Sequence, residues 1–186
     1  MVRRPRYAVE SLRPGILHLG IGAFHRAHQA VYTDDAIEAA GGDWGVVGVS
    51  MRQATVATLL AEQDGLYTVE YRDAAPDYRI IGCVRRALTL PLDPEAVIAA
   101  LADGATHIVT LTITEKGYCL GADGLDWSHP DIVHDLAEPA KPRSALGVLA
   151  AGLARRLRAG GRPLTVISCD NLADNGPRLA AATRAL

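Results

Sequence analysis

One stretch constrains this chain more than any other: Ile16-Leu17-His18-Leu19-Gly20-Ile21-Gly22-Ala23-Phe24-His25-Arg26-Ala27-His28. A short apolar run of strand character turns through Gly-x-Gly, then opens a segment of helical periodicity from Gln29 to Ala40. Having no side chains, Gly20 and Gly22 permit a tight turn and let backbone N–H groups approach a pyrophosphate, whose charge a helix N-terminus favours. The turn Gly20-Ile21-Gly22-Ala23-Phe24 is therefore a candidate dinucleotide-binding loop. The third glycine of a G-x-G-x-x-G fingerprint would fall at His25, so the motif alone fits equally well a strand-to-helix turn with no ligand.

The next segment repeats the alternation of helix and strand. Gly41-Gly42-Asp43 stops the helix and Trp44 to Ser50 reads as a second buried strand, completing a βαβ unit. At the end of that strand a dinucleotide fold carries an acidic residue for the adenosine ribose. Here the residues are Ser50-Met51-Arg52-Gln53. Arg52 is a candidate cofactor contact that could meet a 2′-phosphate or stack on adenine, with plain solvent exposure as the alternative. Ala54 to Gln63 has helical spacing and Asp64-Gly65 ends it. Leu66 to Arg72 alternates at period two, Ala74-Ala75-Pro76-Asp77 supplies a turn, and Tyr78 to Leu90 has further strand character, which together predict an inserted hairpin. Asp93 and Pro94 are placed to cap and start a short helix.

His107 to Thr114 is strongly β-prone and ends in Glu115-Lys116-Gly117-Tyr118. Open α/β sheets bind ligands outside the carboxyl ends of their strands, which makes Thr112, Glu115 and Lys116 site candidates, although a charged pair at a strand exit also fits a solvated turn. Leu120 to Lys141 reads as a long irregular connection. Ser144 to Ala159 is an amphipathic helix, in which Arg155-Arg156-Leu157-Arg158 suits a solvated, positively charged C-terminal end. Pro163 to Ser168 predicts another buried strand, and Asp174-Asn175-Gly176-Pro177 opens a last helix.

At 186 residues, with 49% apolar and 22% charged residues and a formal net charge of −2, the chain suits one soluble domain over residues 1–186. The basic residues are scattered, which argues against a nucleic-acid partner. No apolar run reaches the ~18 residues of a membrane span, and no apolar stretch follows the basic start as in a secretory signal. Cys83, Cys119 and Cys169 lie far apart with no C-x-x-C pair, and a reduced, cytoplasmic protein is the simplest account. His25 and His28 could share a helix face with Asp34 or Asp35 nearby as metal ligands, but no third ligand has convincing spacing, and no metal site is expected.

Three stretches together resemble one family: Gly20-x-Gly22-Ala23-Phe24-His25-Arg26-Ala27-His28, Thr112-Ile113-Thr114-Glu115-Lys116-Gly117-Tyr118, and Ser168-Cys169-Asp170-Asn171-Leu172-x-x-Asn175-Gly176. They are similar to the polyol-specific long-chain dehydrogenases, the mannitol dehydrogenase and fructuronate reductase family, and Glu115-Lys116-Gly117-Tyr118-Cys119 looks closer to the fructuronate reductase branch. In that family His25 belongs to the fingerprint. The resemblance implies an α/β, Rossmann-like, doubly wound fold with a mostly parallel sheet and an inserted β-hairpin. It also implies NAD as cofactor, with NADP left open by Arg52, and hydride transfer between a secondary alcohol of a sugar alcohol or hexuronate-type sugar acid and its ketone. Asn171 matches an asparagine that binds the reacting oxygen, as its amide NH₂ can donate to a developing alkoxide; an Asx-turn or cap is the competing role, which Asn175 or Asp174 fits better. The family's helical C-terminal domain, with its catalytic lysine motif, has no match in these residues. The expectation is thus a cofactor-binding part, inactive or nearly so alone, that self-associates or pairs with a separately encoded second half. The alternative is a non-catalytic nucleotide-binding or regulatory remnant.

Overall fold

The computed structural model describes residues 2–73, 75–122 and 124–186. Ala74, within the expected hairpin turn, lies outside the described residues. The elements run β1 (Val2–Arg3), β2 (Pro14–Leu19), α1 (Ala23–Ala27), α2 (Gln29–Ala40), β3 (Gly45–Ser50), α3 (Thr55–Ala61), β4 (Tyr67–Tyr71), β5 (Asp77–Ile81), β6 (Val84–Thr89) and α4 (Pro94–Ala102). They continue with β7 (Ile108–Leu111), β8 (Leu120–Gly121), β9 (Gly124–Leu125), α5 (Pro130–Ala137), α6 (Ala145–Arg158), β10 (Thr165–Ser168) and α7 (Asn175–Ala185). Among the described residues, no helix is long and apolar enough to cross a membrane.

The main sheet has the order β10-β7-β2-β3-β6 and every pairing in it is parallel. Chain order therefore reverses at the β2–β7 boundary, the point where open α/β sheets form a crevice. Side chains alternate across the sheet and build a core on each face. Leu17, Leu19, Val47, Val49, Val109 and Leu111 pack toward Val97, Leu101, Leu146 and Leu149 of α4 and α6. Ile16 and Val46 pack on the other face with Ile21, Val31 and Ile37. Buried on both sides, β3 reads as an unbroken apolar run, which is why it is legible in the sequence.

The hairpin β4–β5 is antiparallel, as expected, but it belongs to a separate three-stranded sheet in which β1 adds to β5 in parallel. Asp34 of α2 anchors this sheet. Its fully buried carboxylate accepts from Arg79 Nη2 at 2.8 Å, from Gly82 N–H at 3.0 Å and from the Tyr7 hydroxyl. Asp35 takes the other arm of the guanidinium at 2.5 Å. A buried charge needs this degree of pairing.

Four expectations are corrected. Leu120 to Lys141 is no irregular connection, since β8, β9 and α5 lie within it. Asp93 holds the N-cap position of α4, but its carboxylate turns back to accept from Thr89 N–H at 3.1 Å. β10 is a half-exposed edge strand, because only β7 pairs with it among the described residues. Arg156 is no part of a solvated helix end. It is buried, donating from Nε to Arg162 O at 2.7 Å and from Nη1 to Leu101 O at 3.2 Å and Asp103 O at 2.5 Å. It ties the end of α6 to the end of α4 and to the segment entering β10, whereas neighbouring Arg155 makes an exposed ion pair with Glu95. Removing a buried partner strands its acceptors, so Arg156→Met should lower stability by about 2–4 kcal/mol. Arg155→Met should cost about 0–1 kcal/mol. Urea unfolding midpoints of the two variants make the comparison.

Candidate functional site

The turn after β2 is held by its own backbone. Gly20 has φ +101°, and a Cβ there would stand 2.1 Å from Thr112 O, so this position requires glycine for both conformation and space. Gly20 N–H and Ile21 N–H both donate to Val49 O, at 2.9 and 3.1 Å, and Gly22 N–H donates to Gly20 O at 2.6 Å. These three N–H groups are therefore committed internally. The amides left for an anion are those opening α1, at Ala23 and Phe24, whose first-turn positions have no intrahelical acceptor. Gly22 differs from Gly20: a Cβ there would meet nothing nearer than Gly20 O at 3.8 Å. Its surroundings are open, and a side chain would project into that space.

Beneath the turn lies a buried polar cluster, in which sequence reasoning singled out Thr112 and His25 but neither His18 nor Thr110. His18, within β2, places Nδ1 2.7 Å from Thr110 Oγ1 and Nε2 2.9 Å from Thr112 Oγ1 and 3.1 Å from Gly20 O. Thr112 Oγ1 is itself 2.8 Å from Gly20 O, and Thr112 N–H donates to Leu19 O. The His25 ring stacks on His18 with centroids 3.5 Å apart, and its Nδ1 lies 3.2 Å from Gln29 Oε1, while Nε2 is buried without a partner among the described residues. Burial lowers both imidazole pKa values, to about 4 for His25. His25 and His28 do not converge: His28 stands at the break between α1 and α2, its ring stacked on Phe24.

A cleft of about 390 Å³ opens over the carboxyl ends of the strands. Its lining comprises Gly20, Ile21 and Gly22 after β2, Ser50, Met51, Arg52 and Gln53 after β3, and Thr112, Ile113 and Thr114 after β7. Gly117, Cys119, Asp131, Arg143, Ser144 and Ala145 close it. Thus five of the expected cofactor residues, Gly20, Ile21, Gly22, Arg52 and Thr112, share one cleft, with Arg52 exposed. Ala23 is exposed at the start of α1, outside the lining. Phe24 faces elsewhere, into an apolar groove with Tyr32, Trp44, Ile108 and Ile167.

The catalytic candidates are less well gathered. Glu115 and Lys116 form an exposed 3₁₀ turn outside the cleft lining, while Thr114 and Gly117 beside them reach it. Asn171 is exposed beyond β10. The neighbouring Asn175 takes the structural role, donating from Nδ2 to Asp170 O at 2.8 Å and Ser168 O at 3.3 Å.

Two aspartates hold the lining in place. Asp170 accepts from Ile113 N–H at 3.0 Å, Thr114 N–H at 2.9 Å and the Tyr118 hydroxyl at 2.8 Å, joining the exits of β10 and β7. Buried Asp135 accepts from Arg143 N–H at 2.7 Å, Ser144 N–H at 3.0 Å and Ser144 Oγ at 2.6 Å. Ser144 Oγ in turn accepts from Gly147 N–H to cap α6. This fixes the α5–α6 turn that carries Arg143 to the cleft.

Residues 14–184 match the family model described as the mannitol dehydrogenase Rossmann domain. The chain belongs to the mannitol dehydrogenase family. It is 46% identical over 180 residues to mannitol 2-dehydrogenase of Cereibacter sphaeroides, covering 94% of this chain and 38% of that one. It is 42% identical over 182 residues to D-mannonate oxidoreductase of Escherichia coli K12, covering 94% and 37%. Among solved structures, the Pseudomonas fluorescens mannitol 2-dehydrogenase ternary complex with NAD and D-mannitol matches with a TM-score of 0.92 at 39% identity. That match covers 98% of this chain and 38% of the other. A substrate-free D-sorbitol dehydrogenase matches with a TM-score of 0.91 at 36% identity, covering 99% and 40%. The chain thus spans a little over a third of the length of these mannitol dehydrogenase family members.

The buried imidazoles make a pH prediction. A group whose folded pKa is depressed stays unprotonated in the fold while the unfolded chain binds the proton, so its contribution falls as pH drops below the unfolded value. For His25 the window runs from about 6.5 down to about 4. Over it the wild type should lose about 3 kcal/mol more than His25→Phe, which keeps a ring on His18 but cannot titrate. Thermal melts of both proteins between pH 7 and pH 4 measure the difference.

Proposed function

We propose that this chain is the cofactor-binding part of an NAD-dependent oxidoreductase that moves a hydride between a secondary alcohol of a sugar alcohol or sugar acid and its ketone. The observation that carries this reading is the space over Gly22, in a cleft at the strand-order reversal of the sheet. NAD fits the residues present: Gly22 leaves room for a pyrophosphate, α1 offers two uncommitted amides, and Ser50, Arg52 and Gln53 stand where an adenosine ribose would lie. When bound, the nicotinamide supplies the hydride acceptor or donor. The chain's own residues bind and orient the dinucleotide, and Asn171, at the exit of β10, offers an amide N–H to the reacting oxygen.

Gly22→Val tests the reading directly, because the substitution meets open space within the protein and fills the space proposed for the phosphates. NADH binding followed by fluorescence should weaken at least about a hundredfold with the fold intact by circular dichroism. Equal affinities would overturn the assignment. NAD should bind more tightly than NADP in the same titration.

Turnover is expected to be slow for these residues by themselves. The cleft lining contains no lysine or histidine among the described residues, and a well-placed general base is worth about 10²–10⁴ in rate. The apolar groove of about 500 Å³ beside β7 and β10, with Phe24 and Tyr32 mostly exposed, is where we place a second polypeptide segment or a second copy of the chain. The three cysteines are free thiols, in keeping with a reduced, cytoplasmic setting. Reduction of D-fructose and D-fructuronate by NADH with the purified chain should run at least about a hundredfold below the ~10 s⁻¹ of ordinary enzymes. A rate within tenfold of that would refute the expectation.

A further inference from the structure

We infer that Cys119, His129 and Asp131 form a binding site for a thiolate-seeking divalent cation of the zinc class, in the wall of the cleft. Donor atoms of the three side chains all lie within 4.8 Å of one another. Tetrahedral bonds of about 2.0–2.3 Å to nitrogen, oxygen and sulfur would set those atoms about 3.3–3.8 Å apart, so a cation needs a closure on the order of 1 Å.

The backbone already holds the three residues together across the turn that separates them in the chain. Asp126 N–H donates to Cys119 O at 2.9 Å, and His129 N–H donates to Asp126 O at 3.1 Å. The Asp126 carboxylate takes Ser128 N–H at 2.9 Å and Ser128 Oγ at 2.6 Å, which closes the turn before Pro130 starts α5. Cys119 itself has a left-handed backbone, φ 50° and ψ 42°, unusual for a residue with a side chain. Among the described residues the Asp131 carboxylate has no ion pair or hydrogen bond, and the interactions in competition are the contact of the Cys119 thiol with Gly117 O at 3.9 Å and the 3.2 Å bond from Asp131 N–H to His129 Nδ1. A cation at that nitrogen takes the amide's place.

The donor set decides the chemistry. One thiolate, one imidazole and one carboxylate suit zinc and its spectroscopic substitutes cobalt and cadmium, whereas magnesium and calcium require oxygen ligands. On binding, the Cys119 S–H bond breaks, a sulfur–metal bond forms and the proton passes to solvent. Cys119 and Asp131 both line the cleft, so a fourth coordination position opens into it for water or an incoming ligand. The site is independent of the nucleotide reading, since it needs no nucleotide to form.

Cobalt titration of the nucleotide-free chain tests it. One ion should bind per chain, with tetrahedral visible bands and a thiolate-to-cobalt band in the near ultraviolet. Cys119→Ser should lose the thiolate band. His129→Asn, which keeps a side-chain acceptor for the α5 cap, should weaken binding at least about tenfold. Cys169→Ser should behave as wild type. Cadmium NMR of the unaltered chain should give one resonance shifted as for a single sulfur ligand, a readout that no folding defect can affect. The proposal is overturned by the same thiolate band in Cys119→Ser, or by a wild-type chain that shows neither the band nor the cadmium resonance. NADH affinity measured alongside keeps a failure here separate from a failure of the nucleotide assignment.

Discussion

The contact between Gly20 and the backbone of Thr112 is the constraint on which the site depends. It brings the exits of β2 and β7 together at the place where strand order reverses, and it leaves no room for even a methyl group. Gly20 O then becomes a shared acceptor for Gly22 N–H, Thr112 Oγ1 and the His18 ring. Inside the protein such bonds gain strength from low dielectric, and the same environment penalises any member left unpaired. The turn is thus a rigid feature of the sheet, and its shape exists before any ligand arrives.

Rigidity in the turn has a chemical consequence. The glycine motif divides its labour, with Gly20 serving the fold and Gly22 leaving space outside it. Internal commitment of the Gly20, Ile21 and Gly22 amides leaves the donors at the opening of α1 as the free ones of this turn. The cluster of His18, His25 and the two threonines explains why a histidine can occupy the position a third glycine would take. Its ring fills the interval between α1 and β2 by stacking, so close backbone approach is not what this position needs.

How much of the structure was legible in the sequence depends on the range of the interactions. β2, β3 and β7 announce themselves as apolar runs because parallel strands are buried on both faces. The glycine turn, the hairpin and the amphipathic helix α6 depend on residues a few positions apart and read equally well. The two-residue β1 carries no such pattern, and its pairing with β5 lies more than seventy residues away. Arg156 looks like its neighbours in a basic run, and only the packing of α6 on α4 reveals it as a buried clamp. Asp135 and Asp170 act as acceptors for backbone amides, whose positions no residue type advertises. Cys119, His129 and Asp131 escape notice for a related reason: their spacing matches no familiar ligand motif, and it is the turn at Asp126 that folds them together.

The two cross-tying aspartates also explain why the cleft can be well defined while the catalytic candidates lie in the open. Asp170 fixes the β7 exit from the β10 exit, and Asp135 fixes the turn that supplies Arg143, so the walls of the cleft are set by buried or half-buried bonds. Glu115, Lys116 and Asn171 sit on exposed turns outside these ties. A side chain there keeps its rotamer freedom until something packs against it, and ordering a long side chain costs on the order of 1.5–2 kcal/mol. On the function proposed above, binding a dinucleotide would draw on the first set of residues, and positioning an alcohol for hydride transfer on the second. The fold separates the two groups along the sheet, and a surface packed onto the β7 and β10 side would order Glu115, Lys116 and Asn171 without disturbing the glycine turn.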